Sequence, residues 1–265
     1  MRQIKATERG TKFFQAYKEL YKLRNVKRVG FILGNCYGEE EQKILQQKGG
    51  GFFNNRPQSD QEHCDGCKII VMLLDMIYPE VMIPKPGETL SYGYDRFRLL
   101  LRGASEHELG ENATGDVASD GTRDEKKKDE EELRYVTAWL YLCFDKETAK
   151  LGVRLFKEMQ EKSTDIGKLL FLIDKIDAVL YNLILEADGH TGHITAKPYV
   201  TELDRKAIEA TGDDRNAGVW LYNTLATTPQ LLDFELTPIF LEIVQSAALE
   251  VRGEEMDWIN EKFAA

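Results

Sequence analysis

The sequence predicts an all-α fold, and three observations support this prediction. Apolar residues recur every three or four positions over most of the chain, which is the spacing of amphipathic helices. No segment alternates apolar and polar residues for long enough to indicate a β-strand, and no repeat of fixed length is present. The chain has 265 residues, of which 42% are hydrophobic, so it can bury a full core as one large domain.

The N-terminal part contains three predicted helices, separated by segments rich in glycine or proline. The first helix is predicted over residues 11–29, where aromatic and leucine side chains recur at helical spacing. The glycines between residues 30 and 51 indicate a loop. A second helix is predicted over residues 60–78 and should stop near Pro79, because proline cannot continue a helix. The third is predicted over residues 94–109 and ends in a glycine-containing segment.

The second half of the chain begins with ten consecutive charged residues at 123–132. Charge runs of this kind are usually a solvated helix start or a flexible loop. Apolar residues at helical spacing then continue to the C-terminal end of the chain. Further helices are predicted over residues 133–144, 151–161, 169–188, 204–210, 219–225 and 237–251.

Composition limits the classes of partner and the location that we expect. The chain carries 45 acidic and 35 basic side chains, a net charge of −10, which disfavours nucleic acid as a partner and favours a small molecule. Four cysteines are too few for a disulfide framework, so a reducing compartment is expected. No apolar run is long enough for a membrane span or an export signal, which predicts a cytoplasmic protein without a membrane partner. The oligomeric state stays open, with a homodimer as one option.

Two of the four histidines lie among carboxylates, and one aspartate lies within an apolar stretch; together they form a candidate site. His63 follows a glutamate, and His107 lies in a segment with several acidic neighbours. Asp174 lies within an apolar helical stretch, where an inward carboxylate is costly unless a cation or a hydrogen-bonding partner offsets it. A metal ion would be such a partner, and an outward Asp174 paired with a lysine is equally compatible with the pattern. Asp177 should share the face of Asp174.

Three segments carry a resemblance to a known family. The chain reads Arg-Pro-Gln-Ser-Asp-Gln-Glu-His at 56–63, His-Glu-Leu-Gly-Glu-Asn-Ala-Thr-Gly-Asp at 107–116 and Asp-Lys-Ile-Asp at 174–177. Their order, and the spacing within the second segment, resemble the HD-domain phosphohydrolases, in particular their 5′-deoxynucleotidase branch. This resemblance implies a single HD-type helical bundle over residues 1–188, with an insertion around 36–55. Residues 189–265 would form a C-terminal helical extension packed on the same domain.

The resemblance also implies a reaction and a set of site residues. The reaction is hydrolysis of (deoxy)nucleoside 5′-monophosphates by an enzyme with one divalent metal ion, which is Mn²⁺, Co²⁺, Fe²⁺, Zn²⁺ or Mg²⁺. The implied metal ligands are His63, His107, Glu108 and Asp174. The implied catalytic residues are Glu111, which would transfer a proton, and Asp116, which would contact the sugar hydroxyl. The implied substrate-binding residues are Arg56, Lys175, Asp177 and Phe31.

The chain departs from the family pattern at several positions. Glu108 stands where the family has aspartate, and its extra methylene moves the carboxylate by about an ångström, which can change metal affinity or metal choice. Gly34 stands where the branch often has an arginine, which puts one phosphate contact in doubt. Cys64 and Cys67 replace small and apolar residues beside His63. A single Cys-x-x-Cys pair is a weak signal for metal or redox chemistry, and incidental buried thiols are the more common case.

Two other classes of function compete with the phosphohydrolase. A diiron oxygenase of HD type would need further ligands, for which His190 and His193 are the remaining histidines. A non-catalytic helical protein could have kept the scaffold while its metal site drifted, as Glu108 and Gly34 would permit. The number of metal ions bound by the purified protein separates the three hypotheses.

Overall fold

A computed structural model describes residues 5–22, 60–84, 95–114, 125–187 and 202–263. Over these ranges the regular secondary structure consists of α-helices and short 3₁₀ turns, without a β-strand. The all-α prediction is therefore confirmed. None of the described helices is long and apolar enough to cross a membrane.

The helices follow the predicted order along the chain. Within the described ranges, three 3₁₀ turns connect some of them, at Pro79–Met82, His107–Gly110 and Pro229–Leu231. The α-helices are α1 (Glu8–Lys22), α2 (Asp60–Ile77), α3 (Arg96–Glu106), α4 (Glu111–Thr114), α5 (Glu125–Cys143), α6 (Lys146–Glu161), α7 (Asp165–Ala187), α8 (Glu202–Thr211), α9 (Asn216–Thr227), α10 (Thr237–Arg252) and α11 (Trp258–Phe263).

Several helix ends differ from the predictions, and capping explains one of them. Helix α6 begins at Lys146, earlier than predicted, because the Asp145 carboxylate accepts hydrogen bonds from the backbone N–H groups of Glu147 and Thr148. Helix α5 also begins earlier, at Glu125, so most of the charge run is helical. The predicted third helix ends as an α-helix at Glu106 and continues as a 3₁₀ turn. This change of winding lies at the candidate site described below.

Helix α7 is the central helix of the core. It packs against α2, α3, α6, α9 and α10. Its apolar residues are buried on nearly all sides, from Ile166 to Leu183, as expected for a helix surrounded by others. One continuous hydrophobic cluster joins residues of the N-terminal helices with residues of α9, α10 and α11. The predicted domain boundary after residue 188 lies outside the described residues.

A buried ion network fixes the end of α10 to α7. Arg252 donates two hydrogen bonds of 2.7 Å to the Glu186 carboxylate and one of 2.8 Å to Asp213. Asp213 also accepts hydrogen bonds from the backbone N–H and the side chain of Arg215. The three charged side chains of Arg252, Glu186 and Asp213 are almost fully enclosed. This network therefore links the C-terminal helices to the core through charge-assisted hydrogen bonds.

We expect Asp213→Asn to lower the free energy of unfolding by roughly 1.5–3 kcal/mol, because hydrogen bonds to a charged group would be weakened. Burial raises the pKa of Asp213, but Arg215 and Arg252 outweigh it and hold the pKa below its ordinary value. The ionised carboxylate therefore stabilises the fold above its unfolded-state pKa, and this stability is lost as the pH falls through the lower folded-state pKa. Urea unfolding between neutral and acidic pH should show a steeper loss for the wild type than for Asp213→Asn. The exposed neighbour Asp214→Asn is the control, and equal slopes for wild type and Asp213→Asn would contradict the assigned role.

Candidate metal centre

His63 lies in the first turns of α2, where a buried carboxylate of α7 orients its ring. The Nδ1 atom of His63 is 2.7 Å from Oδ2 of Asp177, to which it donates a hydrogen bond. The other oxygen of Asp177 accepts a hydrogen bond of 2.5 Å from the Tyr17 hydroxyl of α1. With Nδ1 engaged in this way, Nε2 of His63 is the nitrogen available for coordination. A carboxylate behind a histidine is the usual support of a metal-ligating imidazole.

A glycine makes this arrangement sterically possible. Gly66 lies one turn after His63 on α2, and its Cα faces the Asp177 carboxylate. A Cβ atom at this position would overlap both oxygens of that carboxylate. The absence of a side chain at Gly66 therefore allows α2 and α7 to approach closely enough for the hydrogen bond between His63 and Asp177.

His107 is positioned by the end of α3. Its Nδ1 atom is 3.1 Å from the Ala104 carbonyl oxygen, to which it donates, so in the neutral ring the lone pair is on Nε2. The side chain is 5% exposed, and Nε2 makes no hydrogen bond, although it lies 3.1 Å from Oε1 of Glu108. A buried nitrogen lone pair facing a carboxylate oxygen is unfavourable unless a proton or a cation lies between them. This orphaned atom fits a metal ligand.

The four predicted ligands converge from three separate parts of the chain. Asp174 Oδ1 of α7 lies 2.9 Å from His63 Nε2, and Glu108 Oε1 of the 3₁₀ turn lies 3.4 Å from the same nitrogen. One potential ligand atom from each of His63, His107, Glu108 and Asp174 lies within 4.8 Å of the other three. These side chains could therefore hold one metal ion with mixed nitrogen and oxygen donors.

The electrostatics of the cluster keep its carboxylates ionised. Burial disfavours the charged form of Glu108, but His107 and His63, which are protonated when no ion is bound, outweigh it and lower its pKa well below the usual range. Burial likewise opposes ionisation of Asp174. Lys175 and His63 outweigh this effect and lower the pKa of Asp174 well below the usual range. Both carboxylates therefore present negative oxygens at neutral pH, as metal coordination requires.

The sequence left open whether Asp174 points inward to a cation or outward to a lysine, and the structure shows features of both. It is buried and contacts His63, and its Oδ2 atom is also 2.8 Å from Nζ of Lys175. The Lys175 side chain remains 41% exposed, so its ammonium lies at the outer edge of the cluster. Asp177 does share the face of Asp174, but its predicted role in substrate binding does not fit its position. Its side chain is fully buried behind His63, where a substrate would not reach it.

The charge run of α5 holds the segment that follows the 3₁₀ turn, a role that the sequence does not predict. Lys128 Nζ of α5 lies 3.7 Å from Oε1 of Glu111 and 3.4 Å from Oε1 of Glu132. Thr114 donates a hydrogen bond of 2.7 Å to Glu132. The spacing of four residues between Lys128 and Glu132 could have predicted this ion pair, because it places both side chains on one helix face. These contacts hold the short helix α4, and with it the predicted catalytic residue Glu111.

A thiol also belongs to the cluster. His63, Cys67 and His107 form a second group whose potential ligand atoms lie within 4.8 Å of one another. Cys64 belongs to neither ligand group, although it is buried as well.

Tyr17, which supports Asp177, was predicted only as an apolar position of the first helix. Several predicted features lie outside the described residues, namely Phe31, Gly34, the insertion at 36–55, Arg56, Asp116, His190 and His193.

No family model, curated protein or solved structure matches the chain. The fold and the geometry of the site alone define the class of protein. It is all-α, and its histidine, carboxylate and thiol side chains form a cluster that could hold a metal ion.

Proposed function

We propose that the protein is a metal-dependent phosphohydrolase of the HD-domain type. Its substrates are (deoxy)nucleoside 5′-monophosphates, which it hydrolyses to nucleoside and phosphate. The observation that carries this proposal is the convergence of His63, His107, Glu108 and Asp174, the four ligands that the resemblance implies. Residues that are up to 111 positions apart meet in one cluster, as the resemblance implies for a metal centre.

The donor set supports a first-row divalent ion. Two imidazole nitrogens and two carboxylate oxygens suit Mn²⁺, Co²⁺, Fe²⁺ or Zn²⁺. When bound, such an ion would supply Lewis-acid polarisation of a phosphoryl oxygen and would lower the pKa of a coordinated water.

The protein's own residues would orient the reactants. Asp177 and the Ala104 carbonyl hold His63 and His107 in fixed orientations, which is the preorganisation that a metal site needs. Lys175, at the outer edge of the cluster, would contact a phosphate oxygen through its ammonium group. Glu111, oriented by Lys128, would exchange a proton with the attacking water or the leaving oxygen.

The Glu108→Asp variant restores the residue that the family has at this position. Since Glu108 Oε1 lies within 3.4 Å of both histidine Nε2 atoms, a shorter side chain would withdraw the carboxylate by about an ångström without removing it. We expect this variant to bind metal and to keep or raise the turnover of the wild type in a phosphate-release assay. Complete loss of turnover with normal folding would instead show that the glutamate geometry is a requirement of this site.

Phosphate release from a panel of nucleoside monophosphates tests the proposal directly. The assay is run with Mn²⁺, Co²⁺ or Mg²⁺ on the wild type, His107→Ala and Asp174→Ala. Arg134→Ala is the control, because its side chain is exposed on α5 and outside the cluster. We expect release by the wild type and the control and none by the two ligand variants. Activity that survives both ligand substitutions would refute the site assignment.

A further inference from the structure

We infer that Cys67 is a thiolate ligand of the ion held by His63 and His107, and that it gives the site a preference for Zn²⁺ or Co²⁺ over Mg²⁺ and Mn²⁺. This inference rests on the metal centre of the proposed function and adds a ligand that the family resemblance does not imply.

The position of Cys67 follows from the geometry of α2. Residues four apart on a helix share a face, so Cys67 lies one turn after His63 and faces the same cluster. Its side chain is fully buried, and Sγ is 3.8 Å from His63 Nε2. On its other side the thiol contacts only weakly the Ile173 carbonyl oxygen, at 4.0 Å. The sulfur is therefore directed at the nitrogen that would coordinate the ion.

A second observation points to a ligand at the same place. Nε2 of His107 is buried and has no hydrogen-bond partner. A ring nitrogen of His107 lies within 4.8 Å of both Cys67 Sγ and a ring nitrogen of His63. Two imidazole nitrogens and one sulfur thus surround a single point in the interior. Cysteine sulfur, histidine nitrogen and carboxylate oxygen are the donor atoms that zinc takes in proteins.

The consequence is metal selectivity. The two histidines belong to both ligand groups, whereas Cys67 belongs to one and the pair Glu108 and Asp174 to the other. A site of carboxylates and imidazoles alone accepts Mn²⁺ readily, but thiolate favours the softer ions. Cys67 would therefore shift the preference of the shared ion toward Zn²⁺ or Co²⁺.

Cobalt titration of the full-length protein tests this inference. A thiolate ligand produces a near-ultraviolet sulfur-to-cobalt charge-transfer band in addition to the visible d–d bands of the ion. We expect this band in the wild type and in Cys64→Ser, and its loss in Cys67→Ser. In competition experiments, the ratio of the affinity for Zn²⁺ to that for Mn²⁺ should be at least about tenfold lower in Cys67→Ser than in the wild type. Cys64 is the matched control because it is buried on the same helix but lies outside both ligand groups.

X-ray absorption of the zinc-loaded wild type gives a readout that needs no variant, since a bound thiolate places sulfur at about 2.3 Å from zinc. Cobalt or zinc that binds without sulfur ligation would overturn the inference and leave the proposed function standing. Failure of the wild type to bind either ion would overturn both. A thiolate signal without phosphate release under any metal would overturn the proposed function alone.

Discussion

His107→Ala is expected to remove metal binding and to reduce kcat/KM for phosphate release by at least about a thousandfold, or about 4 kcal/mol of transition-state stabilisation. Nε2 of His107 is buried without a hydrogen-bond partner and lies 3.1 Å from Oε1 of Glu108, so a bound ion would satisfy both atoms at once.

Thermal unfolding with and without metal separates a ligand role of His107 from a purely structural one. An ion present at a hundred times its Kd stabilises the folded state by about 2.7 kcal/mol, which corresponds to a rise in Tm of roughly 5–10 °C for a chain of this size. We expect this rise in the wild type and in Ser105→Ala, an exposed control near the end of α3. His107→Ala should unfold at the same temperature with and without metal. A metal-dependent rise that persists in this variant would contradict the ligand assignment.

Asp177→Asn is expected to weaken metal affinity by about 10- to 100-fold, although Asp177 would not touch the ion. The carboxylate accepts hydrogen bonds from the Tyr17 hydroxyl and from Nδ1 of His63, one on each oxygen. Asparagine offers one acceptor oxygen, so its amide group would face one of these two donors. Even with the amide oxygen turned toward His63, the hydrogen bond from Nδ1 would lose the charge of the carboxylate, so Nε2 would be held less firmly toward the other ligands. Calorimetric titration with Co²⁺ or Zn²⁺ measures the change.

Gly66→Ala tests the same support without altering a polar group. The added methyl group would overlap the Asp177 carboxylate and displace it from His63. We expect weaker metal affinity together with a loss of about 1–3 kcal/mol in the free energy of unfolding. Asp65→Ala, at the adjacent and partly exposed position of α2, is the control. Unchanged metal affinity in both Asp177→Asn and Gly66→Ala would show that the carboxylate does not position His63.

The helices could be predicted because burial produces apolar residues at helical spacing. Helix α7 shows this clearly, since its apolar residues are buried on nearly every side. The start of α5 could not be derived in the same way, because its first turns are charged and mostly exposed. The 3₁₀ turn after Glu106 also has no periodic signal. It depends on tertiary packing, in which the Cα of Gly110 approaches Glu132 too closely for a side chain.

The candidate ligands could be predicted from motif order, but their surroundings could not. Sequence spacing does not reveal that Asp177 lies behind His63, because two carboxylates on one helix face can have different neighbours. The partnership of Lys128 with Glu111 depends on the packing of α5 against the segment after α3. Cys67 was recognised only as half of a weak Cys-x-x-Cys signal. The sequence does not tell which of Cys64 and Cys67 is the potential ligand, because this depends on where both histidines lie in the folded protein.

The metal content of the purified protein tests the central claim most directly. The wild type is loaded with Zn²⁺, Co²⁺, Mn²⁺ or Fe²⁺, freed of unbound ions and analysed by mass spectrometry, beside the double variant His63→Ala/His107→Ala. We expect one tightly bound divalent ion per chain in the wild type and none in the double variant. A wild type that retains no ion would favour the non-catalytic scaffold. Two irons per chain would favour the oxygenase, and either result would contradict the mononuclear hydrolase proposed for His63, His107, Glu108 and Asp174.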